Sequence, residues 1–235
     1  MKNATLRNDR QKSTINDMSV LLPAYNEELT IGSVIDEALA EGVTPAHILV
    51  GDNCSTDRTA EIATGKGVAV YTISNRGKGN VIHELVKHIE TDYALVADSD
   101  STYPLKGNVR VIRRMLRIYG AVLTYRIPSD GAMSLLHKVG NTGLSLIASV
   151  LYRTRIRDVV SGMWGFRTEL INDVDIEPGG FTPDVDFVTG VMKIGARICR
   201  IPISYGVRPD GSKPKLHASH GVVIAIRIVK RRIRR

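Results

Sequence analysis

Two cysteines, Cys54 and Cys199, are all that the 235 residues contain. A disulfide framework and a cysteine-rich zinc site are therefore excluded, and a reducing cytosol is the natural compartment. Neither cysteine has a His or Cys cluster beside it, so each reads as a small, partly buried side chain. Long hydrophobic runs are also missing. Nowhere do 18 apolar residues follow one another, so no transmembrane helix is expected. The opening stretch, MKNATLRNDRQKSTIND, lacks the apolar centre of a secretory signal. The pattern GxxxxGK(S/T) does not occur, which disfavours P-loop ATPase or kinase chemistry. GxGxxG is absent too, which argues against a dinucleotide oxidoreductase. Acidic charge is in deficit, 24 Asp and Glu against 32 Lys and Arg, for a formal charge of +8. That excess suits a polyanionic partner: a phosphorylated substrate, a nucleic acid or an anionic membrane surface. Much of it sits in Arg227–Arg235 (RIVKRRIRR), and the mildly basic remainder disfavours a broad nucleic-acid footprint.

What is present is alternation. Strand-like Ser19–Leu22 runs through the turn PAYN into Glu27–Glu41, where Ile31, Val34, Ile35, Ala38 and Leu39 recur at helical spacing. Then come a strand at Ile48–Gly51, a helix from Asp57 to Thr64, a strand at Val68–Thr72, a helix at Asn80–Glu90 and a strand at Tyr93–Ala97. Such alternation implies an α/β fold with a mostly parallel sheet covered on both faces. The second half is less regular. It offers a helix at Ala132–Tyr152, a strand-like VVSGMWGFR at Val159–Arg167, a helix near Pro183–Ile194 and a strand at Arg197–Ile203. The absence of repeats and of an interdomain linker predicts one domain over residues 18–218, its halves meeting near 104/105. A polar tail (1–17) precedes it and a basic amphipathic helix (219–235) follows.

Parallel sheets bind ligands at the carboxyl ends of their strands. PAYNEE, DNCSTD and DSDSTYP occupy those ends, and SNRGKGN follows the third strand. In the last of the strand-end clusters, Asp98 and Asp100 stand one residue apart. Alone, such a pair serves equally as a polar turn or as a metal site. As oxygen ligands they suit Mg²⁺ or Mn²⁺, ions that keep waters and share substrate phosphates.

Taken in order, VLLPAYNEELTIGSVI, VGDNCSTDRTAEIA, NRGKGNVI and LVADSDSTYP resemble a family 2 glycosyltransferase of the GT-A fold. The later VVSGMWGFR and IPISYGVRPDGSKPKL are similar to the subgroup of dolichol-phosphate mannose synthases and polyprenyl-phosphate glycosyltransferases. The resemblance implies a nucleotide-sugar donor (UDP- or GDP-), a Mg²⁺ or Mn²⁺ cofactor and inverting transfer of a hexose. It places Pro23, Ala24, Tyr25, Asn26 and Glu27 along the nucleotide pocket and Asp52 at the base or ribose. Lys78 falls near the base or phosphates, and Asp98, Ser99 and Asp100 form the D-x-D site, with Asp100 the more direct ligand. Asn53 and Cys54 depart from the Asp and Gly more usual there.

The acceptor side admits two chemistries. A polyprenyl phosphate is already anionic at neutral pH and needs cations rather than a base. By resemblance these are Arg126, following a fifth strand, and Arg208 with Lys213 or Lys215 in an R…SKL-like loop; His137, Lys138 and Ser212 are further candidates. A hydroxyl acceptor (small metabolite, glycan or hydroxylated nucleic-acid base) needs a general base, for which Asp186 and then Asp184 stand as candidates. Both acids also suit a helix N-terminus begun by Pro183. The apolar positions of Ala132–Tyr152 fit either a core or, by resemblance, a membrane-interface helix. The basic amphipathic C-terminus would be drawn to anionic lipid.

Overall fold

A computed structural model describes residues 14–179, 182–211 and 220–233. Its centre is a seven-stranded sheet of order β3-β2-β1-β4-β6-β5-β7. The strands are β1 (Met18–Ala24), β2 (Ile48–Asp52), β3 (Ala69–Thr72), β4 (Tyr93–Val96), β5 (Ala121–Pro128), β6 (Trp164–Arg167) and β7 (Ile198–Tyr205). β6 alone runs against its neighbours β4 and β5; the other pairings are parallel.

The helices are α1 (Ile31–Ala40), α2 (Thr59–Gly65), α3 (Lys78–Val86), α4 (Asn108–Leu116), α5 (Leu135–Tyr152), α6 (Pro183–Lys193) and α7 (His220–Ile233). Successive side chains of a strand point to opposite faces. Met18, Val20 and Leu22 of β1 accordingly join one core, with Val34, Ile35 and Ala38 of α1 and Val109, Ile112 and Leu116 of α4. Leu21 joins the other, with Ile82 and Leu85 of α3, Val185, Phe187 and Val188 of α6, and Ile224 and Ile228 of α7. Every residue of β2 is buried, the pattern of a strand covered on both faces.

Several boundaries differ from those the sequence predicts, each for a local reason. α1 begins at Ile31 rather than Glu27 because Asn26 takes a left-handed φ of 50° and turns the chain first. Asp57 lies in the turn before α2 rather than in the helix, its Oδ1 accepting from the Thr59 amide at 3.0 Å. Only Trp164–Arg167 of the expected Val159–Arg167 strand enters the sheet. The preceding residues are drawn off by Ser145 Oγ, which accepts from the Val159 amide (3.1 Å), and by Tyr103 Oη, which accepts from Gly162 N (2.8 Å). Arg126 lies within β5, not beyond it.

The strand order turns about β1: β2 lies on one side of it and β4 on the other. Open sheets bind ligands at such a switch point. The parallel strands bring Tyr25, Asn53, Asp98 and Arg208 to one rim. β6, running the other way, starts there with Trp164.

Candidate active site

A cavity of about 380 Å³ opens at this rim between the ends of β1 and β4. Of the expected residues, Pro23, Ala24, Tyr25, Glu27, Lys78, Asp98, Ser99, Asp100, Arg126, Asp184 and Arg208 line it. Asn26, Asp52 and Asp186 do not. Lys213 and Lys215, with Ser212, lie outside the described residues.

Charge is concentrated at the centre. Lys78 Nζ donates to Asp98 Oδ1 at 2.7 Å and to both Asp184 oxygens at 2.9 Å. Burial works against the lysine's charge, but Asp184 and Asp98 outweigh it and hold the ammonium protonated well above its usual range. Trp164 Nε1 also donates to Asp184 Oδ1, at 2.9 Å, so that carboxylate is fixed from two sides. Burial raises Asp184 above the ordinary carboxylate range, with Lys78 opposing the rise. Asp100 is oriented by Thr102, whose amide and hydroxyl reach Oδ1 at 3.0 and 2.5 Å, while Arg208 pairs with Oδ2. Ser99 Oγ donates to Pro23 O at 2.9 Å and ties the β4 loop to the β1 loop.

Asp98 and Asp100, with no cluster of three or more His, Cys, Asp or Glu able to hold a metal among the described residues, constitute an incomplete all-oxygen set. That donor set fits Mg²⁺ or Mn²⁺, which take one or two carboxylates and complete their shell with water and substrate phosphate.

At the other end, Arg76 lies over the Tyr25 ring, 5.3 Å from its centroid. Asn53 explains its own departure from the family pattern. Its Nδ2 donates to Ile73 O and Asn75 O, both at 2.9 Å, and its Oδ1 accepts from Gly77 N at 2.7 Å. An aspartate could accept but not donate, so the amide braces the whole 73–77 loop. Gly77 in that loop has φ 126°, which side chains of L-residues rarely adopt, and its amide enters α3 just before Lys78. Cys54 keeps the left-handed turn (φ 59°) that a glycine would supply without strain. Asn26 acts as a brace outside the cavity, its Oδ1 accepting from Thr56 N at 2.8 Å. Asp52 stands behind the wall, 4% exposed, and its Oδ1 has no hydrogen-bond partner in the structure.

Arg126 reaches the cavity from β5 with 11% of its side chain exposed. Asp158 grips it through two parallel bonds, Nε to Oδ2 at 2.6 Å and Nη2 to Oδ1 at 2.8 Å, and the Tyr205 ring lies 5.3 Å away. Asp158 did not emerge from the sequence, nor did Gly162. A Cβ at Gly162 would stand 1.9 Å from Asp98 Oδ2, so only glycine leaves room for that carboxylate. No spacing rule flags either residue, because both act across more than thirty positions of chain.

The expected order of Asp186 before Asp184 is reversed. Residues two apart on a helix do not share a face, so only one of the pair can turn to the cavity. Asp184 does. Asp186 is fully buried on the far side, held by Arg227 at 2.8 and 2.7 Å and by Arg231 at 3.5 Å.

The ordered loops around this cavity match known proteins. The family model described as Glycosyl transferase family 2 covers residues 19–175. The chain belongs to this family. It is 32% identical over 206 residues to Glycosyltransferase AglJ of Haloferax volcanii, covering 86% of this chain and 67% of that one. It is 29% identical over 219 residues to the Dolichyl-phosphate hexose transferase of the same organism, covering 92% and 94%. Among solved structures it is similar to glucosyl-3-phosphoglycerate synthase from Mycobacterium tuberculosis in complex with Mn²⁺ and UDP-glucose, with a TM-score of 0.66 and 23% identity over 90% of this chain and 76% of that one. The same synthase with phosphoglyceric acid gives a TM-score of 0.68 at 21% identity, over 91% and 77%. The GT-A fold expected from the sequence is therefore the fold observed, and the protein is a glycosyltransferase.

Proposed function

We propose that the protein transfers a hexose from a nucleoside diphosphate sugar to a polyprenyl phosphate, with inversion at the anomeric carbon. The observation that carries this reading is Arg126: a guanidinium fixed at the cavity by Asp158 and charged at every physiological pH. Burial works against that charge, and the Asp158 carboxylate that grips the guanidinium more than restores it. A permanent cation cannot serve as a base, but it suits a phosphate that needs none. In support, a relative of nearly equal length is named for dolichyl phosphate.

The donor base would stack at Tyr25 and Arg76. Lys78 and Arg208 would meet the diphosphate. Asp98 and Asp100 would hold a divalent cation, which when bound would offset the charge developing on the leaving diphosphate. An oxygen of the acceptor phosphate forms the new bond to the anomeric carbon as the bond to the nucleoside diphosphate breaks. The electron pair leaves with the diphosphate, and no proton moves.

The lipid itself would come from a membrane surface. No helix among the described residues is long and apolar enough to cross a membrane. α5 and α7 nonetheless contain no Asp or Glu, and Leu136, Val139, Leu146, Val150, Val222, Val223 and Ile226 are each at least half exposed. Apolar stripes on basic, acid-free helices suit peripheral contact with anionic lipid.

A second reading keeps the donor half and replaces the acceptor by a hydroxyl, with Asp184 as base; its place in the cavity favours it over Asp186. The two readings separate on Arg126→Gln. For a phosphate acceptor, acceptor kcat/KM falls about 10- to 100-fold, the equivalent of about 1.5–3 kcal/mol for a charged hydrogen bond, while donor affinity holds. Full activity in Arg126→Gln with loss in Asp184→Asn supports the hydroxyl acceptor instead.

A further inference from the structure

We infer that helix α7, which lies beyond the residues matched by the family model, completes the acceptor side of the cavity, with Asp186 as the positioning residue that clamps it there. The inference rests on the cavity being the transfer site. Ile224 of α7 is 2% exposed and forms part of the cavity wall with Val160 and Val185. One helical turn away on the same face stand Arg227 and Ile228, then Arg231. Arg227 meets Asp186 through two bonds, at 2.8 and 2.7 Å. Arg231 Nε donates to Thr189 Oγ1 at 2.9 Å, and its Nη1 lies 3.5 Å from Asp186 Oδ1. The Glu177 amide also donates to Asp186, at 3.1 Å.

A carboxylate with no exposed surface is tolerable only when fully partnered, and here the partners come chiefly from α7. The clamp is therefore selective: it gains its partners only when α7 is seated. Asp184, two residues earlier on α6, faces the opposite way and holds Lys78. One helix thus carries the central charge cluster on one face and the α7 latch on the other. Removing the latch frees α7 and opens the wall at Ile224, while the donor contacts on β1, β2 and β4 stay in place.

Two variants test this, Asp186→Asn and Ile224→Trp. In Asp186→Asn, hydrogen exchange of the amides of residues 224–231 should speed up about tenfold or more while β1 and β4 stay protected. Transfer to polyprenyl phosphate should fall about tenfold, with donor affinity within about twofold of wild type. Ile224→Trp should lower acceptor kcat/KM with donor affinity within about twofold of wild type, because the larger ring takes up cavity space at the wall. Unchanged exchange in Asp186→Asn, or donor and acceptor constants falling in parallel with Tm, would overturn the inference. So would an Ile224→Trp enzyme with wild-type acceptor constants. The exchange measurement needs no acceptor, so it remains readable if the polyprenyl phosphate assignment fails.

Discussion

At the scale of single residues, the site depends on small features with large consequences. Gly162→Ala should leave the fold intact, at a cost of about 1–3 kcal/mol for overpacking, yet displace Asp98. Mn²⁺ affinity by calorimetry and turnover should fall together; an alanine variant with wild-type Mn²⁺ affinity would show that the carboxylate has room to spare. Asp100 gives a pH signature. Burial and the neighbouring Asp98 push its pKa up from 3.8, and Arg208 pulls it back. Protonation should therefore weaken Mn²⁺ binding at a higher pH than for a free aspartate. Arg208→Gln removes a charge that opposes the rise and should move that midpoint higher still; a midpoint that moves down contradicts the pairing. Asp98 and Asp100 stand one residue apart in one strand-end loop, so their juxtaposition was legible in the sequence. Asp158 and Gly162 were not, because their partners Arg126 and Asp98 are 32 and 64 residues distant.

Among the elements, the first half of the chain was the more legible. Its strands and helices each carry a single period and end in polar turns, so order and direction could be read even where the boundaries moved by two to four residues. β6 was harder. Its apolar residues continue back through VVSGM, but hydrogen bonds from that stretch's amides to Ser145 and Tyr103 hold it out of the sheet, and composition does not encode them. α4 went unread although Val109, Ile112 and Leu116 recur at helical spacing; three arginines in nine residues obscure the stripe. One of these, Arg113, fastens α4 to the start of β1 through Asp17, at 2.5 and 2.8 Å. The Arg113 bond holds the Asp17 carboxyl below its ordinary range, with burial opposing. A depressed folded pKa contributes stability above the unfolded value of about 3.8 that is lost as pH falls through the folded value. Asp17→Asn should thus lower Tm at neutral pH and flatten its decline below pH 4. An equal decline in variant and wild type would assign that acid sensitivity to other carboxylates.

For the molecule as a whole, the α/β class, the parallel sheet and the rim of loops followed from periodicity and turn chemistry. The sequence also named eleven residues that the fold gathers into one cavity. It put Asp186 ahead of Asp184, whereas Asp184 is the one that lines the cavity, because that choice depends on which face of α6 meets α7. The acid-free surface of α5 and α7 has its own consequence at this scale. The protein should float with vesicles containing phosphatidylserine and not with neutral ones, since each basic residue near an anionic surface adds about 1 kcal/mol. Leu136→Glu with Val139→Glu should reduce flotation without changing donor affinity; unaltered flotation would remove α5 from the contact.

The acceptor decides the account. The purified protein would be incubated with radiolabelled UDP- and GDP-hexoses, Mn²⁺, and polyprenyl phosphate together with 3-phosphoglycerate, then partitioned into organic solvent. Label should appear in the organic phase and disappear with chelator and in Asp100→Ala. Label confined to the aqueous phase on phosphoglycerate, with none in the lipid, would contradict it.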